Sequence, residues 1–410
     1  FTDTASTGVN KIQAGNLKME VTYKNTVVGN FEKVNKETPV FNNSALWEPG
    51  HVEFAVLNVK NIGTLALKYK LGINIASETG STNVDGGTFK LSDYIKFAVI
   101  EGDATKNGIN RAALVAAAEE AGSKLIKEGY TKESQLKTAT DTNEALKNDE
   151  TVTLVVWMPT DVGNEANHKT DAAAPVINLG INVVATQYTY ENDSFNDQYD
   201  KEATYPVIDL AGLKDAVKNG GNVAVDADVQ VSGTDTAAEC TTISKPTTLQ
   251  LNKKITCPYE MGNNRYNFTA LIVAADTTIN AGENGGIDTK GGAYGINVLS
   301  GANLVINGGT YYGGGTAVQV QKGTVTINGG HFAVEAFSDP NYGYEFMLNC
   351  IDAAYKNGTA KIIVKGGTFV NFNPANCKAE GAGTNFVAEG YGVVATPQAN
   401  GDVWYTVVAE

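Results

Sequence analysis

Arginine is almost missing from this chain: Arg111 and Arg265 are the only two in 410 residues. Bidentate clamps on phosphate or carboxylate therefore have almost no residue to use. Basic residues as a whole are outnumbered, 31 against 45 acidic ones, for a formal net charge of −14. A surface of that sign repels nucleic acid and anionic lipid, so no nucleic-acid partner is expected. No apolar run approaches the roughly 18 residues of a membrane-spanning helix, and no membrane span is expected. Histidine is scarce as well, with three residues, and the four cysteines (Cys240, Cys257, Cys350, Cys377) include no Cys-x-x-Cys spacing. No zinc site is expected on that ground, and no cofactor is expected.

Four cysteines allow three pairings. The sequence-local one, Cys240–Cys257 with Cys350–Cys377, is the expected set of staples in an oxidising compartment, and four buried thiols are the alternative. The chain opens at Phe1 without methionine, charged n-region or apolar h-region. We read this as the removal of an export leader. A chain of this length is comfortable as two domains that each bury a core.

The first half reads as an antiparallel sandwich. Leu65, Leu67, Tyr69, Leu71, Ile73 and Ile75 occupy every second position, with Lys68, Lys70 and Asn74 between them, which is a strand with one wet face. Similar alternation runs through Leu17, Met19, Val21 and Tyr23 and through Ile177, Leu179, Ile181 and Val183, while 151–158 reads as a strand buried on both faces. Glu48-Pro49-Gly50 and Asn61-Ile62-Gly63 supply reversals. The exception is 111–130, where Leu114, Ala117, Ala118, Ala121, Leu125 and Ile126 recur at helical spacing, with a second helix expected near 134–147. The insertion is expected to cap one edge of the sandwich.

Several of these residues also carry a resemblance. Phe1-Thr2-Asp3, the strand entry Ala14-Gly15-Asn16-Leu17, Trp47-Glu48-Pro49-Gly50, the run from Asn61 to Tyr69, Met158-Pro159, Gly163-Asn164-Glu165 and the segment from Ala185 to Phe195 resemble, in that order, the TasA/camelysin family of exported Gram-positive surface proteins. The resemblance covers about the first 200 residues and implies a jelly-roll sandwich at the bacterial cell surface. It also implies polymerisation into extracellular biofilm-matrix fibres, in which the N-terminal segment of one subunit adds as a strand to the sheet of the next. The helical insertion and the whole second half depart from it.

Phe1 to Gly15 is polar, with Phe1, Val9 and Ile12 spread along it, and cannot fold alone. Pairing it with an open sheet edge of another copy is strand addition, whose head-to-tail geometry makes open filaments. We take 1–15 as the donor segment, with Phe1, Val9 and Ile12 as its anchors, and 16–191 as the sandwich. The stretch 192–206 is then a linker. Its Asp193, Asp197 and Asp200 could hold Ca²⁺, although their spacing is not that of an EF-hand loop.

The stretch 207–410 reads as a right-handed parallel β-helix, so the chain as a whole is all-β. Asp209 is an N-cap for the amphipathic run Leu210, Leu213, Ala216, Val217, which closes at Gly220-Gly221. Then 304–311, 325–332 and 362–369 repeat one pattern: an apolar strand, a polar residue, Gly-Gly, a Thr or His, and an aromatic. Thr277–Asn280 and Val223–Asp226 are weaker copies. Glycines at the corners and Val/Ile ladders inside describe a solenoid, and this half resembles the β-helical domains of secreted proteins, pectate-lyase-like ones included.

Enzymes on such folds pair carboxylates or set a basic residue beside Ca²⁺ ligands. Here Asp226, Asp228, Asp288, Glu335, Asp339, Glu345 and Asp352 share no phase of the repeat, and His331 stands where sister repeats have Thr310 and Thr368. An enzyme is not expected. Tyr311, Tyr312, Phe332, Phe369 and Phe372 stack within the solenoid or, as the alternative, bind the rings of a surface glycan.

Overall fold

The computed structural model describes residues 2–6 (as backbone), 18–34, 39–42, 45–188, 204–231, 240–257, 269–289 and 294–410. The chain divides into two compact units, Phe1–Pro206 and Val207–Glu410.

In the first unit the strands are β1 (Thr2–Ser6), β2 (Met19–Lys24), β3 (Glu32–Lys33), β4 (Val52–Asn61), β5 (Leu67–Thr79), β6 (Ser81–Thr82), β7 (Thr88–Phe89), β8 (Lys96–Glu101), β9 (Lys124–Leu125), β10 (Ser134–Leu136), β11 (Asp149–Trp157) and β12 (Val176–Gln187), with the helix α1 (Arg111–Gly122) between β8 and β9. One sheet has the order β1-β12-β5-β10 and the other β3-β2-β4-β11-β8-β9, while β6 and β7 form a small hairpin. Every pairing is antiparallel. Alternate residues of the two sheets meet in one core: Tyr23, Leu57, Val59, Leu154 and Val156 from the six-stranded sheet, and Leu67, Tyr69, Leu71, Ile73, Leu179, Ile181 and Val183 from the four-stranded one. The expected strand around Leu65–Ile75 is β5, one wall of this sandwich.

The helical insertion differs from expectation in three ways. It does not cap an edge: α1 lies on the outer face of the six-stranded sheet, where Leu114 and Ala118 close a second small core with Val52, Phe54, Ala98, Val155 and Trp157. That explains why β11 has no wet face, since Leu154 and Val156 point into the sandwich while Val155 and Trp157 point to the helix. The helix also stops at Gly122, after which Lys124–Leu125 pair with β8 and Ile126 enters the main core. Finally, 134–147 is not a helix. Ser134–Leu136 pair with β5, and beyond them Asp141 accepts from the Asn143 N–H and Asn143 from the Ala145 N–H. Such side-chain turns compete with helical bonds and win where no apolar face needs a helix.

The second unit opens with α2 (Leu210–Asn219), capped by the Asp209 carboxylate, which accepts from the Gly212 N–H at 2.8 Å. Six turns of chain follow. The first five contain β13 (Gly221–Val225), β14 (Val229–Gln230) and β15 (Thr242–Ile243); β16 (Thr247–Leu251), β17 (Lys254–Thr256) and β18 (Thr269–Val273); β19 (Thr277–Ala281), β20 (Gly286–Asp288) and β21 (Tyr294–Val298); β22 (Ala302–Asn307), β23 (Thr310–Gly314) and β24 (Val318–Val320); β25 (Gly323–Ile327), β26 (His331–Glu335) and β27 (Leu348–Cys350). After the short helix α3 (Asp352–Lys356), the sixth has β28 (Ala360–Val364) and β29 (Thr368–Val370), and a hairpin of β30 (Tyr391–Pro397) and β31 (Val403–Ala409) ends the unit.

Strands of successive turns pair in parallel, forming three sheets that run the length of the unit. This is a parallel β-solenoid, with Leu249, Ile279, Leu304/Ile306, Val325/Ile327 and Ile362/Val364 stacked inside. Its walls carry two side-chain ladders. Asn328 Nδ2 donates to Asn307 Oδ1 at 2.9 Å, and Asn307 Nδ2 to Asn280 Oδ1 at 3.0 Å. Each amide thus satisfies its neighbour one turn away. Tyr311, Phe332 and Phe369 stack nearly parallel, with centroids 4.8 and 5.0 Å apart. The second glycine of each Gly-Gly pair sits at positive φ (Gly309 96°, Gly330 120°, Gly367 98°), a corner only glycine turns cheaply. The repeat is therefore a geometric requirement of the turn.

Candidate functional site

The feature with most potential for assembly is the outer edge of the four-stranded sheet. Its central strand β12 is held on one side by β5 along its whole length, from Val176 opposite Thr79 to Gln187 opposite Leu67. On the other side Asn182–Thr186 pair with Thr2–Ser6, running antiparallel: Thr2 opposite Thr186, Ala5 opposite Val183, Ser6 opposite Asn182. Among the described residues, no strand pairs with the same side of Val176–Gly180. Leu179, Ile181, Val183 and Ala185 point into the sandwich core, and Asn182, Val184 and Thr186 on the opposite face are buried as well. A strand covered on both faces is joined at its edges through backbone donors and acceptors and little else, which is the chemistry of strand addition.

The anchors Phe1, Val9 and Ile12 lie outside the described residues, as do Asp193, Asp197 and Asp200. Tyr205, inside the expected linker, packs on the outer face of β5. Lys70 Nζ lies 4.4 Å and Lys68 Nζ 5.4 Å from its ring centroid, and its hydroxyl donates to Glu133 Oε2 at 2.9 Å. Sequence patterning placed Tyr205 in the linker, since a single ring there carries no period.

The cysteines correct the expectation of staples. Cys240, Cys257, Cys350 and Cys377 are all buried and carry no disulfide. Each fills wall space as a small apolar side chain would. Burial, with Glu380 nearby, raises the Cys350 thiol to about 12, and burial foremost raises Cys377 to about 11. At neutral pH both remain protonated and are poor nucleophiles.

Among the described residues, Glu380 is the carboxylate whose pKa is raised by burial. Its Oε1 accepts the backbone N–H of Cys350 at 2.6 Å and so blocks the edge strand of the third sheet. Its Oε2 is buried with no hydrogen-bond partner among the described residues. Burial first and Asp352 second raise the carboxyl to about 7, against the Cys350 N–H and Lys356, which lower it. The folded state therefore binds this proton more tightly than the unfolded chain. Its stabilising effect is complete below the ordinary pKa of 4.5 and declines as pH rises through about 7. Glu380→Gln, which keeps an acceptor for Cys350, is expected to remove that decline. Discounted for solvent screening, the difference between pH 5 and pH 8 is about 1 kcal/mol, measurable as unfolding free energies of the two proteins.

No group of three or more His, Cys, Asp or Glu able to hold a metal ion occurs among the described residues. His331 lies half-buried on the solenoid wall, its ring 4.9 Å from Trp404 and edge-on to it, with burial lowering its pKa. Tyr311, Phe332, Phe369 and Phe372 are interior residues, so they present no ring to a sugar; Tyr312 points outward. No helix among the described residues is long and apolar enough to cross a membrane. The chain matches no protein-family model, no curated protein and no solved structure.

Proposed function

We propose that this chain is a structural subunit of an extracellular fibre at a bacterial cell surface, polymerising by donor-strand exchange of its N-terminal segment. The observation that carries this reading is the position of β1. Among the described residues it is an edge strand, joined to the sheet through β12 alone. In the polymer, the same strand comes from a neighbouring copy, and the segment Phe1–Gly15 continues the pairing along β12 toward Val176.

Continuing the register of Thr2 with Thr186 and Ser6 with Asn182 sets Val9 opposite Leu179 and Ile12 opposite Val176. Phe1 then stands opposite Gln187. Directly opposed residues share a face, so Val9 joins the core side with Leu179, and Ile12 covers Val176, which is 51% exposed. Exchange between copies is head-to-tail and does not close, which gives a filament. In this reading the sandwich is a secreted jelly roll that forms the fibre axis, and the solenoid, wound right-handed as crossovers between parallel strands are, is displayed along it. A glycan-binding role finds less support, since four of the five repeat aromatics are interior.

The test is negative-stain electron microscopy of the full chain beside a version that starts at Gly15, each over a range of concentrations. Long regular filaments from the full chain alone are expected. Monomers from both, or filaments from both, would sink the exchange mechanism.

A further inference from the structure

The eight-stranded sheet of the solenoid ends on β30, and among the described residues only β31 pairs with it. Two backbone bonds bracket their ladder: Glu410 N–H donates to the Gly390 carbonyl at 3.0 Å, and Gln398 N–H to the Asp402 carbonyl at 2.7 Å. Both belong to one phase of an antiparallel ladder, in which every second residue turns its peptide groups to the partner. Gly392, Val394 and Thr396 therefore face β31. The N–H groups of Val393 and Ala395, with the carbonyls of Tyr391, Val393 and Ala395, face the open side. Pro397 takes the next open-side position, where a missing N–H costs least.

Natural sheets protect such edges with lysine, proline, a bulge or an inward charge. This one has only Pro397, at its last position. Neither Tyr391–Pro397 nor Val403–Ala409 contains a charged residue, in a chain that is 19% charged. On the outward face of the hairpin Val394 is 52%, Val408 42% and Trp404 38% exposed. The Glu410 carboxylate stands beside Gly392, toward one end of the strand.

We propose that β30 is a second self-association edge, at which two copies pair antiparallel about a two-fold axis through Val394. Val393 of one copy exchanges both hydrogen bonds with Ala395 of the other, and the reverse pair does the same, so the free groups meet without a register shift. A second copy fits better than a different partner on two counts. The strand is complementary to itself in phase, and two chains of net charge −14 approach most readily where the paired strands carry no charge of their own, the Glu410 carboxylates standing toward the ends of the ladder. Pro397 ends the ladder on both sides, and the two-fold closes the contact as a dimer. Combined with head-to-tail exchange, this contact would join one filament to another. It does not depend on that exchange.

The measurement is sedimentation velocity on the chain starting at Gly15, which cannot donate its N-terminus, over a wide concentration range. A concentration-dependent dimer is expected. Ala395→Pro removes only an open-side N–H, and Val394→Lys places two ammonium groups at the axis. Each is expected to weaken the dimer about tenfold or more, as the loss of paired backbone bonds or a like-charge contact implies, with thermal unfolding unchanged. Should Ala395→Pro disturb the hairpin, Val394→Lys decides alone. A truncated chain that stays monomeric throughout, or a dimer as tight in Val394→Lys as in the parent, overturns the proposal. Filaments lost by truncation alongside a surviving dimer would separate the two contacts.

Discussion

Phe332→Ala is expected to destabilise the solenoid by about 3–5 kcal/mol, the range for deleting a large ring from a close-packed interior. Phe332 is fully buried, and its ring is sandwiched between Tyr311 at 4.8 Å and Phe369 at 5.0 Å, with planes within 12° and 13° of parallel. Removing it leaves a gap that neither neighbour can fill. Each is held in its own turn of the solenoid by parallel pairing, and Tyr311 is further fixed by its hydroxyl, which donates to the Gly308 carbonyl at 2.9 Å. The control is Tyr312→Ala, one residue from Tyr311 but on the outer face, with an expected cost of about 1 kcal/mol or less. Denaturant unfolding followed in the full chain should show the solenoid transition moving and the sandwich transition staying. Equal shifts from the two substitutions would mean that the aromatic stack contributes no more than an exposed ring.

Gly286→Ala should be comparably severe for a different reason. Gly286 has φ of 143°, and a Cβ there would stand 1.8 Å from the carbonyl oxygen of Thr310 in the next turn. That oxygen is backbone in a parallel ladder, since Gly286 pairs with Thr310, and it cannot swing aside as a side chain would. Strand separation must widen locally, and the strained φ adds to the overpacking. Together these come to roughly 3–5 kcal/mol. Gly358→Ala tests the assignment of cause. Gly358 also has positive φ, 76°, but nothing lies within 4 Å of its Cβ position, so only the conformational cost remains, about 1 kcal/mol. If the two variants melt alike, close approach of the turns is not what makes Gly286 necessary.

Much of this architecture is legible because it is local. The alternation from Leu65 to Ile75 reports one wet and one dry face, and β5 has them. The Asn-Gly-Gly corners report turns of a solenoid because only glycine takes the second corner position, and the strands before and after them are those the pattern marks. Asp209 caps its helix through a bond to a residue three positions away. Where helical spacing misled, at 134–147, the competing signal was also in the sequence, as Asp141 and Asn143, whose short polar side chains bind the backbone ahead of them.

The proposed donor segment is legible as a polar stretch without a period, but the strand that Thr2–Ser6 pair with is not. β12 pairs with β1 from the other end of the unit, and nothing in either strand encodes that neighbour. The cysteines show the same limit, because spacing along the chain says nothing of whether two sulfurs meet in space, and here all four are buried as thiols. Composition and patterning by themselves determined an acidic two-part chain, strands over helices, a sandwich followed by a solenoid, and the glycines at its corners. Tertiary structure alone decided that α1 covers a sheet face, that four of the five repeat aromatics point inward, that Glu380 blocks a strand edge, and that among the described residues β30 keeps one open side. A strand's faces are set by its own residues, whereas its edges are satisfied by whichever backbone the fold brings alongside.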